Sequence, residues 1–147
     1  MIPMRNLHFM LLLFIVPLAG AQPLPEQIKT AFRVDDADKV TNLVSSKTVD
    51  ACYEAGNSKY TLLALTIKGN SKKIFNALMD QGADIEKACA GKTPLMYGAK
   101  YGRLDMVKAL IQAGADHDFV NNQLRTALSY ARKYQQKEVY VYLKTLD

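Results

Sequence analysis

Leu104, Val107, Leu110 and Ile111 recur at i, i+3, i+6 and i+7, which puts them on one face of a short helix. Gly102 stands before that helix and Gly114 after it, and glycine accepts the left-handed backbone that stops a helix. Upstream, Thr93 can cap a preceding helix and Pro94 sits where a first-turn proline is tolerated. The same apolar face returns at Ile74, Phe75, Leu78 and Met79, with Asn70 in the place of the helix-ending glycine. It returns again at Val139, Tyr140 and Leu143. Nearer the N-terminus the pattern thins: Ile28, Ala31 and Phe32 predict one helix, and Val40, Leu43 and Val44 its partner. The pattern predicts four helix pairs, at about 26–48, 60–81, 92–113 and 125–146.

These pairs repeat in sequence. Thr93-Pro94-Leu95 is echoed by Thr61-Leu62-Leu63, 32 residues earlier, and by Thr126-Ala127-Leu128, 33 residues later. Gly82-Ala83-Asp84 precedes Gly114-Ala115-Asp116 by 32, and Ala77-Leu78-Met79 precedes Ala109-Leu110-Ile111 by the same offset. Each unit resembles an ankyrin repeat, with its period of about 33 and its T-P-L-H-x-A signature. The chain departs from that signature at Met96, where the family has histidine, and at Gly98, where it has alanine. The resemblance implies an all-α, ankyrin-type α-solenoid of about four stacked helix-turn-helix repeats in a domain spanning 22–147. The repeats fall near 26–50, 56–86, 89–118 and 121–147. The first lacks the Thr-Pro-Leu turn, as expected of a terminal capping repeat.

The first residues follow another plan. Arg5 and His8 precede an apolar run from Phe9 to Leu18, and Ala19-Gly20-Ala21 follows as a small-x-small site. This is the layout of a secretory signal peptide over 1–21, cleaved after Ala21. The competing reading is a retained anchor, which needs about 20 apolar residues; Pro17 and Gly20 interrupt the run. No cysteine follows it, which argues against a lipoprotein. A periplasmic or secreted protein is expected, without stable membrane insertion once the leader is removed. Removal takes away Arg5 alone, leaving 18 Lys and Arg against 14 Asp and Glu, net +4. That mild excess falls short of a dedicated nucleic-acid binder. It favours a protein partner with an acidic surface.

Enzyme signatures are absent. His117 is the one histidine after the leader, and it reads as a solvated loop residue. Two cysteines and one histidine form no familiar metal set. Gly91-Lys92-Thr93 resembles the end of a phosphate loop, but the glycine required five residues before Gly91 is Glu86. No catalysis, cofactor or metal is expected. Cys52 and Cys89 leave three readings open: a structural disulfide, a redox-active pair, or inert thiols. Asp50 to Thr61 is eleven residues where the equivalent Glu86 to Thr93 is seven, so the loop 51–59 carries about four extra. Repeats of this family stack farther apart than the roughly 4.4–6.8 Å between bridged Cα atoms. The longer loop would have to close that gap.

The resemblance also implies a concave surface, made of loop tips and the exposed side of the first helices, that grips partner proteins. The position before each cap threonine holds Tyr60, Lys92 and Arg125. Near the end of each first helix stand Lys68, Lys100 and Lys133, followed by Gly69, Tyr101 and Tyr134. Arg and Tyr are enriched among binding hot spots. The expected function is a non-catalytic protein-binding module of the periplasm, monomeric alone, acting as an immunity or inhibitor protein or as an accessory to an envelope enzyme. The alternative is a redox-responsive envelope protein using Cys52 and Cys89.

Overall fold

The computed structural model describes residues 20–147. Apart from Gly20 and Ala21, the expected leader lies outside the described residues. Four helix pairs follow one another: α1 (Glu26–Arg33) and α2 (Ala37–Leu43), α3 (Leu62–Gly69) and α4 (Lys72–Asp80), α5 (Pro94–Tyr101) and α6 (Leu104–Gln112), α7 (Ala127–Lys133) and α8 (Lys137–Lys144). The first helices α3, α5 and α7 pack side by side as one layer. The second helices form the other, α2 against α4 and α6 against α8.

Local chemistry places the ends of these helices. The Thr61, Thr93 and Thr126 hydroxyls accept the N–H groups of Ala64, Met96 and Ser129 at 3.1, 3.3 and 3.2 Å. Each satisfies one of the donors a helix leaves open at its start. Within each pair the chain turns through one left-handed residue, at Asp35, Asn70, Gly102 and Gln135 (φ 51°, 58°, 67° and 56°). Asn70 and Gly102 match the expected stops. Asp35 and Gln135 take the same conformation without glycine or asparagine.

All of Leu62–Ile67 and Pro94–Ala99 is buried, because α5 packs between α3 and α7 with α6 behind, and α3 packs against α5, α4 and the strand β3 (Ser58–Tyr60). The second helices are amphipathic and bury one stripe: Ile74, Phe75 and Leu78 on α4, and Met106, Val107 and Leu110 on α6. Leu43, expected to face inward, is 41% exposed. Helix α2 is the second helix of the first unit and has a neighbour on one side alone, so Val40 is its one buried residue.

Successive units exchange hydrogen bonds. The Asp35 carboxylate accepts the N–H groups of Lys73 and Ile74, both at 3.0 Å, at the start of α4. Arg103 Nε donates to the Ile67 carbonyl at 3.1 Å, and Gln136 Nε2 to the Lys100 carbonyl at 3.1 Å. Asp50 accepts the Asp84 N–H at 2.8 Å, and Glu86 that of Asp116 at 2.7 Å. Groups left open in one unit are thus satisfied by the next.

The long loop departs from the helical plan. β2 (Tyr53–Ala55) and β3 (Ser58–Tyr60) form an antiparallel hairpin, with Tyr53 opposite Tyr60. Gly56 (φ 64°) is the first residue of its two-residue turn, where such hairpins place glycine. β1 (Gln22–Pro23) pairs parallel to β2, giving a three-stranded sheet in the order β1-β2-β3. Among the described residues no helix is long and apolar enough to cross a membrane.

Candidate protein-binding face

Lys68, Lys100 and Lys133 each stand seven residues after a cap threonine. Because α3, α5 and α7 start from the same cap and lie side by side, this shared offset sets the three lysines in a row across the layer. The structure connects them through tyrosines. Lys68 Nζ lies 4.6 Å from the centre of the Tyr60 ring and donates to its hydroxyl at 3.2 Å. Tyr60 packs against Tyr97 with ring centres 5.1 Å apart, and Tyr97 stacks on Tyr101 at 6.3 Å. Lys100 Nζ stands 5.2 Å from both the Tyr101 and Tyr134 rings, and Lys133 Nζ 5.6 Å from Tyr134. Tyr134 stacks on Tyr130 at 6.3 Å. Lys92 reaches over Tyr97 and Arg125 over Tyr130, both at 5.8 Å. All eight residues singled out on the sequence belong to this connected set.

Tyr60 differs from expectation in one respect. It is 6% exposed, because β3 holds it opposite Tyr53 and its ring closes over Tyr97. It is a support under Lys68, not an exposed tip. Lys68, Lys133 and Tyr134 are exposed, while Lys92, Lys100, Tyr101 and Arg125 are half-buried.

Two members escaped the sequence reading. Tyr97 and Tyr130 are fully buried on the inner faces of α5 and α7 and form the floor of the set. Each is four residues before another tyrosine, half-buried Tyr101 or exposed Tyr134, and that spacing stacks side chains on one helical face; the signal was present in the sequence. Asn121 Nδ2 donates to the Tyr130 hydroxyl at 3.1 Å. The Tyr97 hydroxyl has no hydrogen-bond partner among the described residues. Burial, with smaller contributions from neighbouring tyrosines, pushes the Tyr97 phenol well above its ordinary value of 10.0. For Tyr60 burial also acts upward, but the hydrogen bond and charge of Lys68, with Ser58 and the charge of Lys100, together outweigh it and the phenol lies below its ordinary value.

The cations of this face are electrostatically uncompensated. Among the described residues the ion pairs are Lys29 with Glu26, Lys72 with Asp105, and His117 with Asp118. None involves the row. A lysine held over an aromatic face keeps its N–H donors and its charge for another group.

Cys52 and Cys89 are joined in a disulfide with Cα atoms 5.9 Å apart. The hairpin closes the gap between units by carrying Cys52 at the foot of β2, where its carbonyl accepts the Gln22 N–H at 3.0 Å. Cys89 faces Lys92 in a bridge at the start of the next tip, so the crosslink sits beneath one of the basic positions. His117, expected to be solvated, is half-buried with Nδ1 3.3 Å from Asp118 Oδ1. Asp147 brings a carboxylate into the same neighbourhood.

The family described as Ankyrin repeats (3 copies) matches residues 29–121. The fourth pair, α7–α8, lies beyond the match but carries the same threonine cap and left-handed turn. Among curated proteins, the chain is 30% identical over 115 residues to the E3 ubiquitin-protein ligase hecd-1 of Caenorhabditis elegans, covering 78% of this chain and 4% of that one. It is 32% identical over 117 residues to alpha-latrocrustotoxin-Lt1a of Latrodectus tredecimguttatus, covering 79% and 8%. It is 38% identical over 70 residues to human ankyrin repeat and KH domain-containing protein 1, covering 48% and 3%. The chain therefore spans less than a tenth of the length of these relatives.

Proposed function

Since the chain belongs to the ankyrin repeat family, a family of protein-binding modules, we propose that it works outside the cytoplasm as a non-catalytic binder of one partner protein with an acidic surface. The row Lys68–Lys100–Lys133, held over tyrosines and free of ion pairs among the described residues, is the observation that carries this reading. Lys92 and Arg125 flank it from the loop tips. Uncompensated positive charge speeds encounter with an acidic surface, and half-buried tyrosines supply apolar contact once docked. The leader-like 1–21 segment and the Cys52–Cys89 disulfide favour an oxidising compartment such as the periplasm. In that setting the protein acts as an immunity or inhibitor protein, or as an accessory to an envelope enzyme.

The test is capture from an envelope extract at low and physiological salt. Wild-type protein is expected to retain a defined partner. The double variant Lys100→Glu, Arg125→Glu loses it with an unchanged melting temperature. Retention by the double variant places the contact surface elsewhere and overturns the proposal.

A further inference from the structure

The lysine row has a fourth member. Lys68, Lys100 and Lys133 each stand two residues before the left-handed residue of their pair, Asn70, Gly102 or Gln135. In the first unit that residue is Asp35, and two before it is Arg33, the last residue of α1. Arg33 is exposed and makes no ion pair among the described residues. The first unit lacks the cap threonine, so the register that reveals the other three on the sequence passes over this one.

Between Arg33 and Lys68 the surface is hollow. Leu24, Phe32, Leu65 and Gly69 line a cavity of about 460 Å³ together with the cations Lys29, Arg33 and Lys68. Gly69 occupies the position that holds Tyr101 and Tyr134 in the later units. Gly69, one of the residues lining the hollow, puts no ring into it.

Resting on the proposal of an acidic protein partner, we infer that the occupant of this face is an acidic amphipathic helix of that partner, lying across α1, α3, α5 and α7. Packed helices lie about 8–10 Å apart, so the three lysines of the packed helices α3, α5 and α7 recur at about that interval, and Arg33 of α1 continues the row across the hollow. A strand reaches 10 Å in three residues, but successive side chains then point to opposite faces. An α-helix rises about 10.5 Å in seven residues and returns to nearly the same face. One carboxylate per heptad therefore meets one cation per unit. An apolar side chain between the first two carboxylates enters the hollow. The four cations set the register of the helix, and the hollow at one end sets its direction.

Two synthetic helical peptides of equal length, helicity and net charge test this by fluorescence anisotropy in physiological salt, with protein purified from exporting cells. One carries Glu at four heptad positions and Leu between the first two; the other has the same Glu residues spread around the helix. The heptad peptide is expected to bind at least tenfold tighter. Replacing its Leu by Ala, or using Arg33→Glu protein, weakens binding at least tenfold, and Arg33→Lys restores it. Equal binding of the two peptides, or indifference to Arg33→Glu, overturns the inference. Binding that appears only after residues 1–21 are cut away also overturns it, because the hollow would then belong to the chain's own leader. If neither peptide binds while wild-type protein still captures its partner and Lys100→Glu, Arg125→Glu does not, the helix assignment falls and the protein-binding reading stands.

Discussion

Gly98→Ala isolates how tightly two helices of one unit approach. Gly98 lies within α5, and a Cβ built there would meet Val107 Cγ2 of α6 at 2.6 Å. Carbon atoms attract best at roughly 3.5–4.0 Å. Val107 is fully buried and β-branched, so it has little freedom to turn aside. The substitution gains about 1 kcal/mol of helix propensity and loses about 1–3 kcal/mol to overpacking. The expected net effect is destabilisation of up to about 2 kcal/mol. Val107→Ala removes two methyl groups, worth roughly 1.6 kcal/mol in transfer alone, and leaves room behind. In that background Gly98→Ala places its methyl in the vacated space and keeps its propensity gain, so it should stabilise by about 1 kcal/mol. The double-mutant cycle is then non-additive by roughly 2 kcal/mol. Urea unfolding of the four proteins, disulfide intact, measures it if the slopes agree. Additivity within about 0.5 kcal/mol would show that the approach of α5 to α6 relaxes freely, which would refute the argument.

Other substitutions probe the face and the crosslink. Tyr97→Phe removes a buried hydroxyl that has no hydrogen-bond partner among the described residues, so stability near neutral pH should be unchanged or rise. Folding raises the Tyr97 pKa above its ordinary value of 10.0; the unfolded chain then loses this proton first as pH rises. The contribution is full below pH 10 and declines above it, so stability measured from pH 8 to 11 should fall less steeply in Tyr97→Phe; an unchanged slope refutes this. Replacing Cys52 and Cys89 by alanine releases a constraint across 37 residues. Chain entropy puts that at about 4 kcal/mol at most, and a loss below about 1 kcal/mol by urea unfolding would show that the hairpin holds the two units together without it.

The repeat was legible because its punctuation is chemical. Threonine caps at 61, 93 and 126 and the left-handed stops at Asn70 and Gly102 each require particular side chains. Asp35 makes the same turn with its carboxylate anchored by the α4 N–H groups of the next unit, and Gln135 makes it with a side chain that carries no such signal. The hairpin at 53–60 escaped because each strand is three residues long and its pairing with β1 is tertiary. The basic positions follow from their offset to the caps. Their aromatic support was only half visible, since Tyr97 and Tyr130 lie beneath the positions that the repeat offset picks out. Tyr60 was misjudged because its burial depends on strand pairing and on a ring from the next unit.

The crosslink between Cys52 and Cys89 also has a mechanical meaning. Pulled from its two ends, a stack of this kind opens from the outside, pair by pair. Here α1–α2 could peel from one side, and α5–α6 and α7–α8 from the other. The bridge spans 37 positions of chain and encloses the second unit. At roughly 3.4 Å per residue, about 125 Å of contour lies inside the loop and cannot be drawn out while the bridge is intact. A single molecule held under tension should lengthen by that amount only after a reductant is added.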